Sequence, residues 1–160
     1  MSRFVVRRAT AAEAALVHGA MAEAYAEYRV KGIGSGALEE TVDYVRDLLV
    51  TGAEGGALCL EGTAVVGSVR FLTSEGGFYF RRLGVRPAWR GQGAARATLA
   101  WLEECARQEK HPFIWCKVRA ALPENIRLYQ RAGYELFDRQ VLVKPDGRAV
   151  EVVFMRKLLG

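Results

Sequence analysis

The sequence predicts an α/β fold whose sheet is mixed and mostly antiparallel, with helices flanking it. Three observations carry that expectation. Apolar residues recur at helical spacing in four segments and alternate at strand spacing in seven. Short glycine-containing turns join several of the strands directly, which makes hairpins and argues against a purely parallel sheet. No repeat, linker or low-complexity run divides the 160 residues, so the chain reads as one domain over residues 1–160.

The elements follow in order. RFVVRR, residues 3–8, reads as the first strand. Thr10 and Glu13 then have capping-box spacing, in which each side chain satisfies a backbone N–H of the other's turn. The helix they open runs to about Tyr28, and KGIGSG at 31–36 breaks it as a loop. Leu38, Val42, Val45, Leu48 and Leu49 share one face of a second helix. GGALCLEG and TAVVGSVRFL form a hairpin about Glu61-Gly62-Thr63, and Ser74-Glu75-Gly76-Gly77 turns the chain into a third strand, GFYFRRLGV. Pro87 lacks an N–H and ends that strand. A helix with Ala95, Leu99, Leu102 and Ala106 on one face comes next, then the strand PFIWCKVR. ENIRLYQRAG is a short helix closed by Gly133, and YELFDRQVLVK with AVEVVFMRKL is a last hairpin about Pro145-Asp146-Gly147.

Composition narrows the function classes. The net charge of +5 suits an anionic ligand, but the basic residues are dispersed, and no helix-turn-helix or aromatic–basic stacking pattern points to nucleic acid. No apolar run is long enough to span a membrane, and MSRFVVRRATAAEAA lacks the uninterrupted apolar stretch of a signal peptide. Cys59, Cys105 and Cys116 form neither a metal-ligand spacing nor a disulfide framework, and His18 and His111 have no ligand partner in sequence. The expectation is a cytoplasmic protein without a metal.

The densest signal is WRGQGAARA, residues 89–97. A strand that enters a small-residue turn and then a helix presents unpaired N–H groups and the positive end of the helix dipole, an arrangement that favours phosphate. Gly91 and Gly93 allow close backbone approach, Ala94 and Ala95 add no bulk, and Arg90 and Arg96 flank them. Neither a Walker loop nor GxGxxG fits, because no Lys-Ser or Lys-Thr follows and Arg96 stands where a third glycine would. On these residues alone a plain strand-to-helix turn remains an equal reading.

Leu83-Gly84-Val85-Arg86-Pro87 followed by Arg90-Gly91-Gln92-Gly93-Ala94-Ala95 resembles the acetyl-CoA signature of the Gcn5-related N-acetyltransferases, the GNAT family, with Arg90, Gly93 and Ala95 in the pattern's places. Downstream, Asn125-Ile126-Arg127-Leu128-Tyr129 and Gly133-Tyr134 resemble the family's second segment, with Tyr134 where phenylalanine is common. The two segments stand in the family's order and separation.

The resemblance implies a GNAT-like fold with a splayed strand pair and an acetyl-CoA-dependent N-acetyltransferase acting directly on a primary amine. It places the pyrophosphate on the amides of Gly91, Gln92, Gly93, Ala94, Ala95 and Arg96, and the pantetheine along the backbone of Leu83 and Val85. Tyr129 falls at the place of the acid that protonates the departing thiolate, and Asn125 orients the pantetheine or caps its helix. The strand carboxylate that many relatives use as a base is missing: residues 77–86 contain none. Glu23, Glu27, Glu39 and Glu40 are the candidates on the first two helices, each read first as a solvated charge, and a water chain is equally open.

Tyr25, Tyr28, Arg70, Arg81 and Arg119 are expected around the acceptor, a small molecule or a protein amine, and the arginines favour one that carries a carboxylate. The last hairpin offers an edge for a homodimer. The alternative function is an acyl-CoA-binding or sensor domain without catalysis.

Overall fold

The computed structural model describes residues 2–31 and 36–160. Its strands are β1 (Val5–Arg8), β2 (Gly55–Glu61), β3 (Ala64–Ser74), β4 (Gly77–Val85), β5 (Phe113–Arg119), β6 (Glu135–Val143) and β7 (Ala149–Leu158). The α-helices are α1 (Ala14–Val30), α2 (Val42–Thr51), α3 (Ala94–Gln108) and α4 (Pro123–Arg131). The strands hydrogen-bond in the order β1-β2-β3-β4-β5-β7-β6. β1–β2, β2–β3, β5–β7 and β7–β6 are antiparallel, while β4 and β5 pair in parallel through Phe78↔Ile114 and Tyr79↔Trp115. The mixed, mostly antiparallel α/β fold is therefore the one the pattern predicts. The loop expected at 31–36 lies largely outside the described residues.

Local chemistry accounts for the element ends. Glu13 accepts the Thr10 backbone N–H at 3.0 Å, the reciprocal contact that capping-box spacing provides. α2 opens at Thr41, whose hydroxyl accepts the Tyr44 N–H at 3.1 Å, and closes at Gly52 in the left-handed region, φ 77°. α4 starts at Pro123, so Leu122 holds the N-cap position and Asn125 lies inside the first turn. The capping role considered for Asn125 is thereby corrected: the proline fixes the start two residues earlier.

The chain forms two compact units. The first comprises Met1–Leu72 with Phe80–Leu102. Here successive residues of β2 serve opposite faces of the sheet. Leu58 packs with Ala14, Val17 and Val45 beneath α1 and α2, whereas Cys59 packs with Phe4, Val66 and Ala94 at the start of α3. Covering both faces explains why β2 reads as a nearly continuous apolar run.

The second unit comprises Thr73–Tyr79 with Glu103–Gly160. Trp115, Val152 and Phe154 form a buried cluster with Tyr79, Phe113 and Val150, and the indole N–H of Trp115 donates to Ser74 O at 3.1 Å. All nine residues of β6, the edge strand, are exposed.

Candidate functional site

The glycine segment lies in the first unit. After β4 a short 3-10 turn, Pro87–Trp89, leads to Arg90, and α3 begins at Ala94. Gly91 and Gly93 both have positive φ, 74° and 100°, a backbone that L side chains rarely adopt. Gly91, Gln92 and Gly93 are exposed. The N–H groups of Ala94 and Ala95, at the first turn of α3, have no acceptor within the helix by its geometry. A Cβ added at Gly91 or Gly93 meets nothing within 4 Å, so their own protein neighbours do not require glycine; the dihedrals do.

Around this turn the side chains are committed to the scaffold. Arg90 donates to Glu27 Oε1 at 2.6 Å, to Ala24 O at 2.6 Å and to Val85 O at 3.2 Å, tying the turn to α1 and β4. Gln92 donates to Ala88 O at 3.1 Å and accepts from Arg3. In β4, Leu83 O accepts the Tyr25 hydroxyl at 3.0 Å. Arg82, one residue earlier, has φ 57°, a left-handed residue within a strand.

Beneath β4 sits a buried ionic cluster that sequence reasoning did not resolve. Arg70 is fully enclosed and donates to Glu54 Oε1 at 2.8 Å, to Glu40 Oε2 at 2.9 Å and to Met21 Sδ at 3.5 Å. Arg70 thus serves the scaffold, and the expectation that it faces an acceptor is corrected. Glu40 is likewise no solvated charge: its side chain is 8% exposed, and Arg81 and Arg82 also donate to Oε2, at 3.4 and 3.2 Å. Burial opposes ionisation of Glu40, but the Arg70 hydrogen bond and the charges of Arg70, Arg82 and Arg81 outweigh it and hold the carboxyl below its usual value. Of the other candidates, Glu23 pairs with Arg86 and Glu27 with Arg90, while Glu39 is exposed.

Tyr129 belongs to the second unit, on α4, and is buried. Its ring meets that of Tyr134 edge to face at 5.8 Å. Tyr134 in turn donates to Glu103 Oε2 at 3.0 Å, and Lys157 donates to Glu103 Oε1 at 2.9 Å and to Ala132 O at 3.0 Å. Burial, then the charge of Glu103, pushes the Tyr134 phenol upward, so it stays protonated as a donor. Cys116, on β5, is buried, and that burial pushes its thiol upward, which disfavours the thiolate.

The family model of the Acetyltransferase (GNAT) domain matches residues 52–136, a stretch that holds β4, the glycine turn and α4. The chain belongs to the GNAT family. It is an acetyltransferase by that membership, and its fold agrees with solved GNAT structures. The protein yncA of Salmonella typhimurium, solved with its cofactor acetyl-CoA, superposes with a TM-score of 0.77 at 18% identity, covering 99% of this chain and 95% of the other. A chimera of the Vibrio cholerae spermidine N-acetyltransferase gives 0.75 at 18% identity, over 98% and 96%. Ribosomal-protein-alanine N-acetyltransferase from Brucella melitensis gives 0.72 at 22% identity, over 97% and 99%. At these identities the likeness is one of fold. No curated protein matches by sequence. No helix among the described residues is long and apolar enough to cross a membrane.

Proposed function

We propose that this GNAT acetyltransferase binds acetyl-CoA at the start of α3 and transfers the acetyl group directly to a primary amine. The observation that carries the reading is the exposed turn with two left-handed glycines, Gly91 and Gly93, immediately before α3. Its amides and the helix dipole suit a pyrophosphate. The backbone of Leu83 and Val85 receives the pantetheine; the carbonyls of both residues already accept side-chain donors, from Tyr25 and Arg90, which steadies the strand.

In the reaction the neutral amine forms a bond to the thioester carbonyl carbon and the C–S bond breaks. The Tyr129 hydroxyl gives its proton to the departing thiolate and regains one from the nitrogen of the adduct, so the tyrosine is unchanged over a turnover. A phenol suits this exchange because its ordinary basicity is close to that of a thiolate.

Calorimetric titration with acetyl-CoA, beside CoA lacking the 3′-phosphate, tests the donor. Near one-to-one binding is expected. Absence of binding at millimolar acetyl-CoA means that the glycines only make a turn. Binding without thiol release for any primary amine favours the non-catalytic acyl-CoA-binding alternative, which the lack of a carboxylate in β4 also favours.

A further inference from the structure

Glu40 is asymmetric. Its Oε2 receives three guanidinium groups, those of Arg70, Arg81 and Arg82, while its Oε1 is buried without a hydrogen-bond partner among the described residues. A buried carboxylate oxygen that accepts nothing is costly and invites an N–H donor. The carboxylate cannot turn to share its donors, because Arg70 is enclosed and also held by Glu54. The backbone of Glu40 is anchored as well: His18 Nε2 donates to Glu40 O at 2.8 Å.

The charge around that oxygen decides what kind of donor fits. Arg70, Arg81 and Arg82 face Glu40 and Glu54, which leaves one positive charge in excess. A polyamine would add further positive charge to it. An amine that carries its own carboxylate would not. Arg81 is placed to receive that carboxylate: it is 29% exposed and reaches Glu40 and Glu54 only at 3.4 and 3.6 Å, far looser than the 2.8 and 2.9 Å contacts of Arg70. The cluster also adjoins the reacting strand, since Arg81 and Arg82 directly precede Leu83.

We propose that Glu40 Oε1 and the Arg81 guanidinium together receive the acetyl acceptor, and that the acceptor is an α-amino acid. The assignment rests on the acetyl-transfer reading above. The short separation of the two protein groups requires an amine and a carboxylate only a few bonds apart. Glu40 accepts the N–H of the amine, Arg81 binds the carboxylate, and both are specificity-determining residues.

The test is thiol release from acetyl-CoA with each of the twenty protein amino acids, each one's carboxamide, and spermidine, with acetyl-CoA binding measured separately. At least one amino acid is expected to exceed its carboxamide in kcat/KM by roughly tenfold to a hundredfold, the effect of one charged hydrogen bond. Arg81→Gln is expected to abolish that preference by raising KM for the amino acid, with KM for acetyl-CoA unchanged. Glu40→Gln is expected to weaken amino acid and carboxamide alike. Because Glu40 is buried, Arg81→Gln is the deciding variant. Equal use of carboxamides, preference for spermidine, or a uniform loss in Arg81→Gln overturns the proposal. So does acetyl-CoA binding without acetylation of any amino acid, which leaves the donor reading standing. Absence of acetyl-CoA binding removes the donor reading and this inference with it.

Discussion

Tyr129 and Tyr134 meet edge to face, with ring centroids 5.8 Å apart and planes at 62°. The contact places the proposed acid against a tyrosine that is itself fixed by Glu103. Aromatic pairs in this geometry are worth about 0.5–1.5 kcal/mol beyond burial. The Tyr134 ring therefore packs Tyr129, and its hydroxyl serves a separate partner.

That division gives a stability prediction. Tyr134→Phe keeps the ring but leaves Glu103 Oε2, on a residue only 7% exposed, without the phenol donor. A loss of about 1–3 kcal/mol is expected in urea denaturation. Turnover should persist, because the ring contact to Tyr129 survives.

Tyr129→Phe should act on rate instead. It removes the proton that stabilises the departing thiolate while keeping the buried ring. A general acid contributes on the order of 10²–10⁴-fold, so kcat should fall by at least about 10²-fold with KM for acetyl-CoA nearly unchanged. Unaltered kcat at saturating substrate rules out the acid role.

The Arg70 cluster predicts an acid limit to stability. Glu40 ionises more readily in the folded chain than its ordinary value of 4.5. A carboxyl with a lowered folded value contributes stability that is complete above the unfolded value and lost as pH falls through the folded one. Unfolding should therefore become easier below about pH 4.5. Arg70→Met leaves Glu54 and Glu40 buried with weaker partners, which costs on the order of 3–5 kcal/mol by denaturation. A change below 1 kcal/mol contradicts this account of the cluster.

These residues also mark where the sequence is legible. The strands and helices are readable because each is decided by a local period, and the contact of Thr10 with Glu13 by a spacing of three residues. The glycine turn is readable because backbone chemistry is local. Arg70 is not: an arginine alternating on β3 looks the same whether it meets water or two carboxylates 16 and 30 residues away in sequence. Sequence separation likewise conceals the pairing of Arg90 with Glu27, 63 residues apart. At Asn125 the local signals compete, and Pro123 is a stronger marker of a helix start than an asparagine two residues on.

Gly93→Ala separates the two readings of the turn. At φ 100° an alanine pays backbone strain of about 1–2 kcal/mol, and its Cβ meets no protein atom within 4 Å. Gly52, the left-handed C-cap of α2 at φ 77°, is a matched control with the same open surroundings. Both alanine variants should lose similar stability in thermal melts. If the turn only reverses the chain, acetyl-CoA affinity is untouched in both. If a pyrophosphate rests on these amides, the Cβ at 93 holds it off, and Kd should rise at least about tenfold in Gly93→Ala alone, equivalent to roughly 1.4 kcal/mol. Calorimetry on the two folded variants reads this difference directly, because Gly52 lies outside the turn and shows what a Cβ at a left-handed position does without a ligand beside it.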